Sequence, residues 1–362
     1  MQHFALACMV SVIWVILGYS LAFSEGNEWI GGFSNIFMNA IDVNSPSGSI
    51  PESLFATFQM TFAIITPALM IGAFVERIKF SAMLIFLSMW LLVVYVPVTH
   101  WVWGGGILSS WGTMDFAGGI VVHATAGTAA LVTALTLGKR RGFPKSITPP
   151  HSPILTMIGA SMLWIGWFGF NAGSALGANG GAGMAMLVTH ISAATASLVW
   201  MFIEWRRFGK PSLIGIVTGM VAGLATVTPA SGYIGVPGGL VLGFFGGLFC
   251  YLAVDYIRGK LQIDDSLDVF AVHGVGGILG TLLVAFLATS TFSGLGLTEG
   301  QTAVSQFFVQ LKAVVLTVVW TSVFTYLILK ITSFIVPLRV DEQEEIEGLD
   351  LRSHGEKGYH SD

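Results

Sequence analysis

Apolar residues occupy most of the chain in long runs, and polar residues are confined to short intervals between them. A helix needs about 20 mostly apolar residues to cross the hydrocarbon core of a bilayer. Ten runs approach that length, and the seventh is the shortest of them. We therefore predict ten transmembrane helices, near residues 3–23, 53–75, 81–103, 117–138, 153–173, 181–203, 213–229, 237–257, 268–289 and 306–334.

The composition places these runs in a membrane. Of 362 residues, 54% are hydrophobic and 10% are charged, whereas a soluble domain has about 25% charged residues. We predict one membrane domain, residues 1–337, and a polar tail, residues 338–362. Cys8 and Cys250 lie within apolar runs and form no CxxC pair, so no disulfide or metal framework is indicated. A net charge of −4 gives no reason to expect a nucleic-acid partner.

The basic residues indicate the orientation of the helices. Lys and Arg fall in alternate loops, at 77–79, 139–145, 206–210 and 258–260, or at and beyond the end of the last run. Lys312 is the single exception among the sixteen. Cytoplasmic loops of membrane proteins carry the excess of Lys and Arg. Both termini of a ten-helix chain are therefore predicted to be cytoplasmic.

Two histidines lie where lipid would make a polar group costly, which marks them as functional candidates. His123 and His273 belong to the fourth and ninth runs, whose predicted directions are antiparallel. Each run also has an acid near its start, Asp115 in one case and Asp268 in the other. An inverted repeat of five helices would produce this arrangement and would place a transport path between its halves. We predict that the two histidines meet in a pore.

Alternatives exist for each of these groups. Two neutral imidazoles can share a hydrogen bond and still offer polar edges to a small solute or a proton. A metal site is the competing interpretation, but no third ligand stands at a supporting spacing. For Asp115 and Asp268 the competing interpretation is helix capping, which favours Asp. We treat Asp268 as structural, and we expect Asp115 both to cap and to direct negative potential toward an outer vestibule.

Aromatic residues suggest what that vestibule would bind. Trp103 stands beside Gly104 to Gly106 at one helix end, and the run from Trp167 to Ser174 contains two Phe residues at another. An aromatic wall attracts a small cation with about 0.5–2 kcal/mol, and a hydroxyl adds a hydrogen bond.

At these residues the chain resembles the ammonium transporter family, Amt/MEP/Rh, and most closely its bacterial Amt branch. The resemblance extends over nearly the whole chain, including the tail. Its motifs are FQMTFA (58–63), GAFVERIKFSA (72–82), HWVWGGG (100–106), DFAGGIVVH (115–123), GWFGFNAGSA (166–175), TPASGYIG (228–235) and DVFAVHGVGG (268–277).

The resemblance implies a role for each matching residue. The outer recruitment site for the cation would contain Phe58, Phe62, Trp103 and Ser174. The gate beneath it would be Phe62 with Phe170, and the pore would be lined by His123, His273 and Trp167. Supporting roles would fall to Asp115, Asp268 and Asn171.

The resemblance also implies the assembly. The expected fold is an all-α polytopic inner-membrane protein with an inverted five-helix repeat, and the expected state is a homotrimer with one pore in each subunit. Expected partners are ammonium or ammonia, methylammonium as a further candidate substrate, and a PII-type signalling protein at the cytoplasmic face. No cofactor, bound metal or enzymatic activity is expected.

One departure from the family pattern concerns the N-terminus. Family members have eleven spans and an external N-terminus, whereas this sequence begins at what resembles the second helix. Either the start lies upstream, or the chain is a ten-helix variant. Alternative functions are an ammonium-sensing receptor, an inactive truncated copy, a membrane enzyme or redox carrier that uses the histidines for haem or metal, and conduction of carbon dioxide.

Overall fold

Helices form most of the chain in the computed structural model, which describes residues 1–146 and 149–358. In chain order the long helices are α1 (Gln2–Phe23), α2 (Glu52–Ile71), α3 (Phe80–Trp103), α4 (Gly119–Leu137), α5 (Pro153–Gly173), α6 (Gly180–Phe208), α7 (Leu213–Val227), α8 (Val236–Lys260), α9 (Phe270–Leu287) and α10 (Ala303–Ile335). The shorter elements are a single helical turn (Ile107–Ser110), α11 (Glu342–Glu347), α12 (Leu349–His354), two 3₁₀ turns (Ile36–Met38 and Ser290–Phe292) and a β-hairpin that pairs Pro46–Ser47 with Ile50–Pro51.

Each of the ten predicted runs corresponds to one long helix. Within the described residues, nine helices are long and apolar enough to cross a membrane, and α7, with 15 residues, is shorter. The predicted end of the second run at residue 75 is wrong, because α2 ends at Ile71. The chain then turns, and Glu76 adopts a left-handed φ of 73° that an α-helix cannot contain. The sixth run extends past its predicted end at residue 203, to Phe208.

Helices α4 and α9 pack closely because glycines face each other between them. A Cβ added at Gly127 would overlap the backbone of Gly274. A Cβ added at Gly277 would lie 2.5 Å from the Cβ of His123. Small residues permit such close approach of helix backbones in membranes. This contact sets the separation of the two helices that carry the predicted histidine pair.

Helix α10 is joined to the rest of the bundle by polar bonds as well as by packing. The Gln310 amide donates to the carbonyl of Met114, and the Gln310 side-chain oxygen accepts from the Met114 N–H. Gln306 donates to the Gly112 carbonyl. Farther along, Trp90 Nε1 donates to Thr325 Oγ1 at 3.0 Å. The start of α10 is thereby fixed beside the end of α3, at the end of the bundle where Trp103 lies, which we call the Trp103 end.

The tail lies against the opposite end of the bundle, which we call the tail end. Arg339 pairs with Ile78 as an antiparallel bridge and donates to the carbonyl of Leu137 at the end of α4. Its guanidinium also forms an ion pair with Glu345 at 2.7 Å. Burial opposes ionisation of Glu345, but hydrogen bonds from Arg339 and from the Arg141 N–H outweigh it and lower the pKa. Residues 359–362 of the predicted tail lie outside the described part of the chain.

Candidate functional site

Four aromatic side chains of the predicted vestibule and gate form one cluster. Phe58 and Phe62 lie one turn apart on α2, with ring centroids 4.9 Å apart. Phe62 also contacts Trp103 at 5.4 Å and Phe170 at 4.5 Å, both edge-to-face. Phe62 is 1% exposed, while the other three are half-buried. The buried ring therefore lies beneath a partly open aromatic surface.

Hydrogen bonds fix two polar groups beside this cluster. Trp103 Nε1 donates to the main-chain carbonyl of Asp115 at 2.9 Å, which orients the indole ring. Ser174, at the end of α5, donates its hydroxyl to the carbonyl of Phe170 at 2.9 Å, so its oxygen keeps free acceptor capacity. The neighbouring Gly173 lies against Phe58, and a Cβ there would be 2.9 Å from that ring.

The two histidines predicted to meet do meet. His123 Nδ1 and His273 Nδ1 are 3.2 Å apart, a hydrogen-bond distance, and the ring planes lie at 22°. His123 has no exposed surface and His273 is 6% exposed. His123 stacks on Trp167 at 5.3 Å and lies 6.0 Å from Phe170. Its Nε2 is buried and lacks a hydrogen-bond partner within the described residues.

The rings form a continuous file from the half-buried Trp103 to the buried histidines. Successive centroids from Trp103 through Phe62, Phe170 and His123 to His273 are 5.4, 4.5, 6.0 and 5.2 Å apart. The file passes between α2, α3, α4, α5 and α9. It is mostly apolar until it reaches the imidazoles, so a solute that followed it would lose its water before it met a polar group.

Both histidines lie in wide, π-helical turns, at Gly119–Ala124 in α4 and Phe270–Gly274 in α9. The amide of His123, for example, bonds to the carbonyl five residues earlier, at Gly118. Such turns often occur at functional sites, although within the described residues three more lie outside this site, at Trp14–Gly18, Leu91–Tyr95 and Asp255–Lys260. The shared geometry was not predicted from the sequence, because these segments are apolar and carry no local signal for a wider turn.

Asp115 is a helix cap, as its position before the fourth run predicts. Its carboxylate accepts four backbone N–H groups at 2.6–3.1 Å, from Gly118, Gly119, Ile120 and Val121. Burial raises the pKa of Asp115, and these four donors oppose that shift by stabilising the charged form. The carboxylate is thus committed to the start of α4, while its main-chain carbonyl holds Trp103.

Asp268 does not cap α9, so the capping interpretation of this residue is wrong. The Phe270 N–H donates to Asp265 Oδ2 at 2.7 Å instead. Asp268 adopts a left-handed φ of 55°, and its carboxylate forms an ion pair with Arg258 at 2.6 Å. Burial raises the pKa of Asp268 to about 7, and Arg258 opposes the shift. Asp265 was missed, although it precedes His273 by eight residues, the same spacing as from Asp115 to His123.

Asn171 and Trp167 join α5 to its neighbours. The Asn171 amide donates to Thr189 Oγ1 on α6 at 2.9 Å, and Trp167 Nε1 donates to Thr228 Oγ1 at the end of α7 at 2.9 Å. Both side chains are buried. These bonds hold the Trp167 ring in place against His123. Neither threonine was given a role from the sequence, although Thr228 opens the motif TPASGYIG.

Long apolar helices around a buried polar pair define a multi-pass helical membrane protein. The class is then narrowed by comparison with known proteins: the model of the Ammonium Transporter Family matches residues 1–359, and the chain belongs to that family. It is 42% identical over 364 residues to the ammonium transporter of Bacillus subtilis strain 168, which covers 99% of this chain and 89% of the relative.

Solved structures agree with this family membership. The crystal structure of Candida albicans Mep2 matches with a TM-score of 0.86 at 34% identity, over 94% of this chain and 78% of that one. The structure of a sensor Amt protein matches with a TM-score of 0.89 at 28% identity, over 98% of this chain and 89% of that one.

Proposed function

We propose that this chain transports ammonium or ammonia, and with it methylammonium, across the cytoplasmic membrane through a pore inside each subunit. The carrying observation is the buried histidine pair, Nδ1 to Nδ1 at 3.2 Å, at the end of a file of aromatic rings. Relatives named as ammonium transporters support the substrate.

Recruitment of the cation is assigned to the aromatic surface at the Trp103 end. The half-buried rings of Phe58 and Trp103 both contact Phe62, and their faces would attract ammonium by about 0.5–2 kcal/mol. The Ser174 oxygen would accept one of its N–H groups. Ammonium is small and nearly spherical, so the shape of an apolar pocket would select it poorly. Its charge and its N–H groups would provide the selectivity over other solutes.

Passage beyond this surface requires loss of water and separation of the proton. The rings of Phe62 and Phe170, whose centroids are 4.5 Å apart, would close the path. They would have to move to let a solute pass. Beyond them a bare cation would face an apolar wall, which costs at least several kcal/mol. Neutral ammonia avoids that cost. The histidine pair would offer one N–H donor and one acceptor nitrogen to ammonia, and the acceptor nitrogen could take up the proton, with Trp167 forming the adjacent wall.

The proposal extends to the architecture. Ten membrane crossings, with α7 as the shortest, would bring both termini to the side of the Lys- and Arg-bearing loops, which is the cytoplasmic side by the distribution of basic residues. The equal eight-residue spacing of capping acid and histidine in α4 and α9 supports an inverted repeat. Residues 1–337 would form the membrane domain of a homotrimer, and the tail, residues 338–362, with the basic loops beside it would be the contact for a PII-type protein.

Methylammonium uptake and ammonium-elicited current in proteoliposomes test the transport proposal. His123→Ala and His273→Ala should change both signals strongly while the protein remains folded by gel filtration. His190→Ala is a matched control, because His190 is exposed on α6 and stacks on Trp164, away from the pair. Unaltered uptake and current in both pore variants would refute the assignment of the path.

Ammonium sensing is the second candidate function, and the likeness to a sensor Amt protein favours it. The same recruitment surface would serve a sensor. Wild-type protein that binds ammonium, shown by a shift in its melting temperature, but supports neither uptake nor current would favour sensing over transport.

A further inference from the structure

Lys312 occupies an unusual place for a basic residue. It lies at the opposite end of the bundle from the other Lys and Arg side chains, nine residues after the start of α10. With 33 residues, α10 is about 50 Å long, against a hydrocarbon core of about 30 Å. A centred helix would place Lys312 about 13 Å from its first residue, a few ångströms inside the core boundary. On that placement the ammonium group would lie at the depth where lipid headgroups meet acyl chains.

The contacts of Lys312 differ from those of a lysine that extends into water. Its Nζ lies 3.3 Å from the centroid of the Trp111 ring, and the residue is exposed on the outside of the bundle. Among the residues that the structure describes, it forms no ion pair and no hydrogen bond. A lysine near a helix end usually stretches toward the aqueous phase. Here the indole holds the ammonium against the helix surface, and the N–H groups that point away from the ring remain available to an anion.

An apolar groove adjoins this ammonium group. Its volume is about 520 Å³, and apart from Lys312 its lining is apolar. Phe308, Val315 and Val319 form an exposed stripe with Lys312 along one face of α10. The remaining lining residues are Trp111, Leu311 and Leu316. A cation at one place in an otherwise apolar groove matches an amphipathic molecule with an acidic head.

We propose that this groove binds a phospholipid of the leaflet at the Trp103 end, with its phosphate on Lys312 and an acyl chain along Phe308, Val315 and Val319. Charge complementarity identifies the occupant, because a phosphate supplies the anion that Lys312 lacks within the described chain. The membrane supplies this ligand at the required depth. Tryptophan is common at membrane interfaces, where its amphipathic ring lies at the level of the headgroups, and Trp111 would lie at that level here. The site is separate from the ring file and does not depend on transport.

The test is native mass spectrometry of delipidated protein titrated with phosphatidylglycerol. Lys312→Gln should weaken the tightest binding event about fivefold, the value expected for one basic residue near an anionic lipid surface. Lys312→Arg should keep it. Val315→Trp, which fills the groove and retains the charge, should also weaken binding. Lys330→Gln is the matched control, since Lys330 lies over Tyr326 near the other end of the same helix.

Two further ligands separate the contribution of the phosphate headgroup to binding from that of the acyl chains. Diacylglycerol with the same acyl chains lacks the phosphate and should bind weakly and equally to wild type and Lys312→Gln. Glycerophosphoglycerol lacks the chains and should not compete at equal concentration. The proposal is overturned if Lys312→Gln binds phosphatidylglycerol like the wild type, if Lys330→Gln loses as much binding, or if Val315→Trp instead changes the oligomeric state, which would indicate a second protein copy in the groove.

Discussion

The cap on the histidine helix α4 permits a quantitative prediction for Asp115→Asn. The two carboxylate oxygens each accept two backbone N–H groups, at 2.6–3.1 Å, and the side chain is 4% exposed. An amide of the same shape has only one oxygen, and its NH₂ would face the other two N–H donors. The substitution therefore preserves packing volume but removes one acceptor oxygen, which leaves two N–H groups without a partner.

The magnitude follows from those two donors. A buried N–H that loses its acceptor costs about 1–3 kcal/mol, so two of them cost about 2–6 kcal/mol. Since Trp103 bonds to the main-chain carbonyl of the same residue, a displaced cap should also disturb the Trp103 ring. We expect Asp115→Asn to lower both the free energy of unfolding and the apparent affinity for ammonium.

Asp268→Asn is the matched control for this experiment. It is the same chemical change near the other histidine helix, but it removes only a partly exposed ion pair with Arg258, which is worth less than about 1 kcal/mol. Free energies of unfolding by steric trapping in bicelles, measured side by side, should rank Asp115→Asn far below Asp268→Asn. Equal stabilities for the two variants would contradict the assignment of Asp115 as the cap of α4.

Three other substitutions test separate parts of the structure. Trp103→Leu should raise the ammonium concentration at half-maximal current several-fold with little loss of folded protein, and an unchanged concentration dependence would exclude a recruitment role. Gly277→Val should push α4 and α9 apart and abolish uptake, because its Cβ would lie 2.5 Å from that of His123, and normal uptake would show that the helices can separate without harm. The lowered pKa of Glu345 means that its contact with Arg339 is present above the ordinary glutamate value of 4.5 and is lost as pH falls through the lowered value. Protection of the Glu342–Glu347 amides from hydrogen exchange, expressed relative to the intrinsic rate at each pH, should thus be high at pH 7, fall at low pH, and be low at pH 7 in Glu345→Gln; protection that does not change with pH would refute this.

The features that could be predicted from the sequence are those with local causes. A run of apolar residues requires no distant partner to indicate a membrane helix, and His123 and His273 are recognisable because a polar group in such a run is costly. Their meeting was predictable only through the antiparallel pairing of the fourth and ninth runs. The 3.2 Å contact itself depends on Gly127, Gly274 and Gly277, whose roles appear only when both helices are in place.

The features that could not be predicted depend on backbone conformation or on distant contacts. Asp268 is nearer to α9 in sequence than Asp265, but its left-handed φ directs the cap to the earlier residue. The tail docks because Arg339 reaches the end of α4, about two hundred residues earlier in the chain, and no local pattern encodes that contact.

The Nδ1-to-Nδ1 contact has a consequence for the direction of proton flow. A single hydrogen between the two Nδ1 atoms makes one imidazole the δ tautomer and the other the ε tautomer, so one Nε2 accepts while the other donates. Movement of one proton through the pair exchanges these identities, and the pair then has the reverse polarity. A second proton can follow in the same direction only after both rings have recovered their original tautomers. If the pair relays protons during transport, both tautomers have to be restored between turnovers, and this restoration would set an upper limit on proton flux that ammonia diffusion does not share.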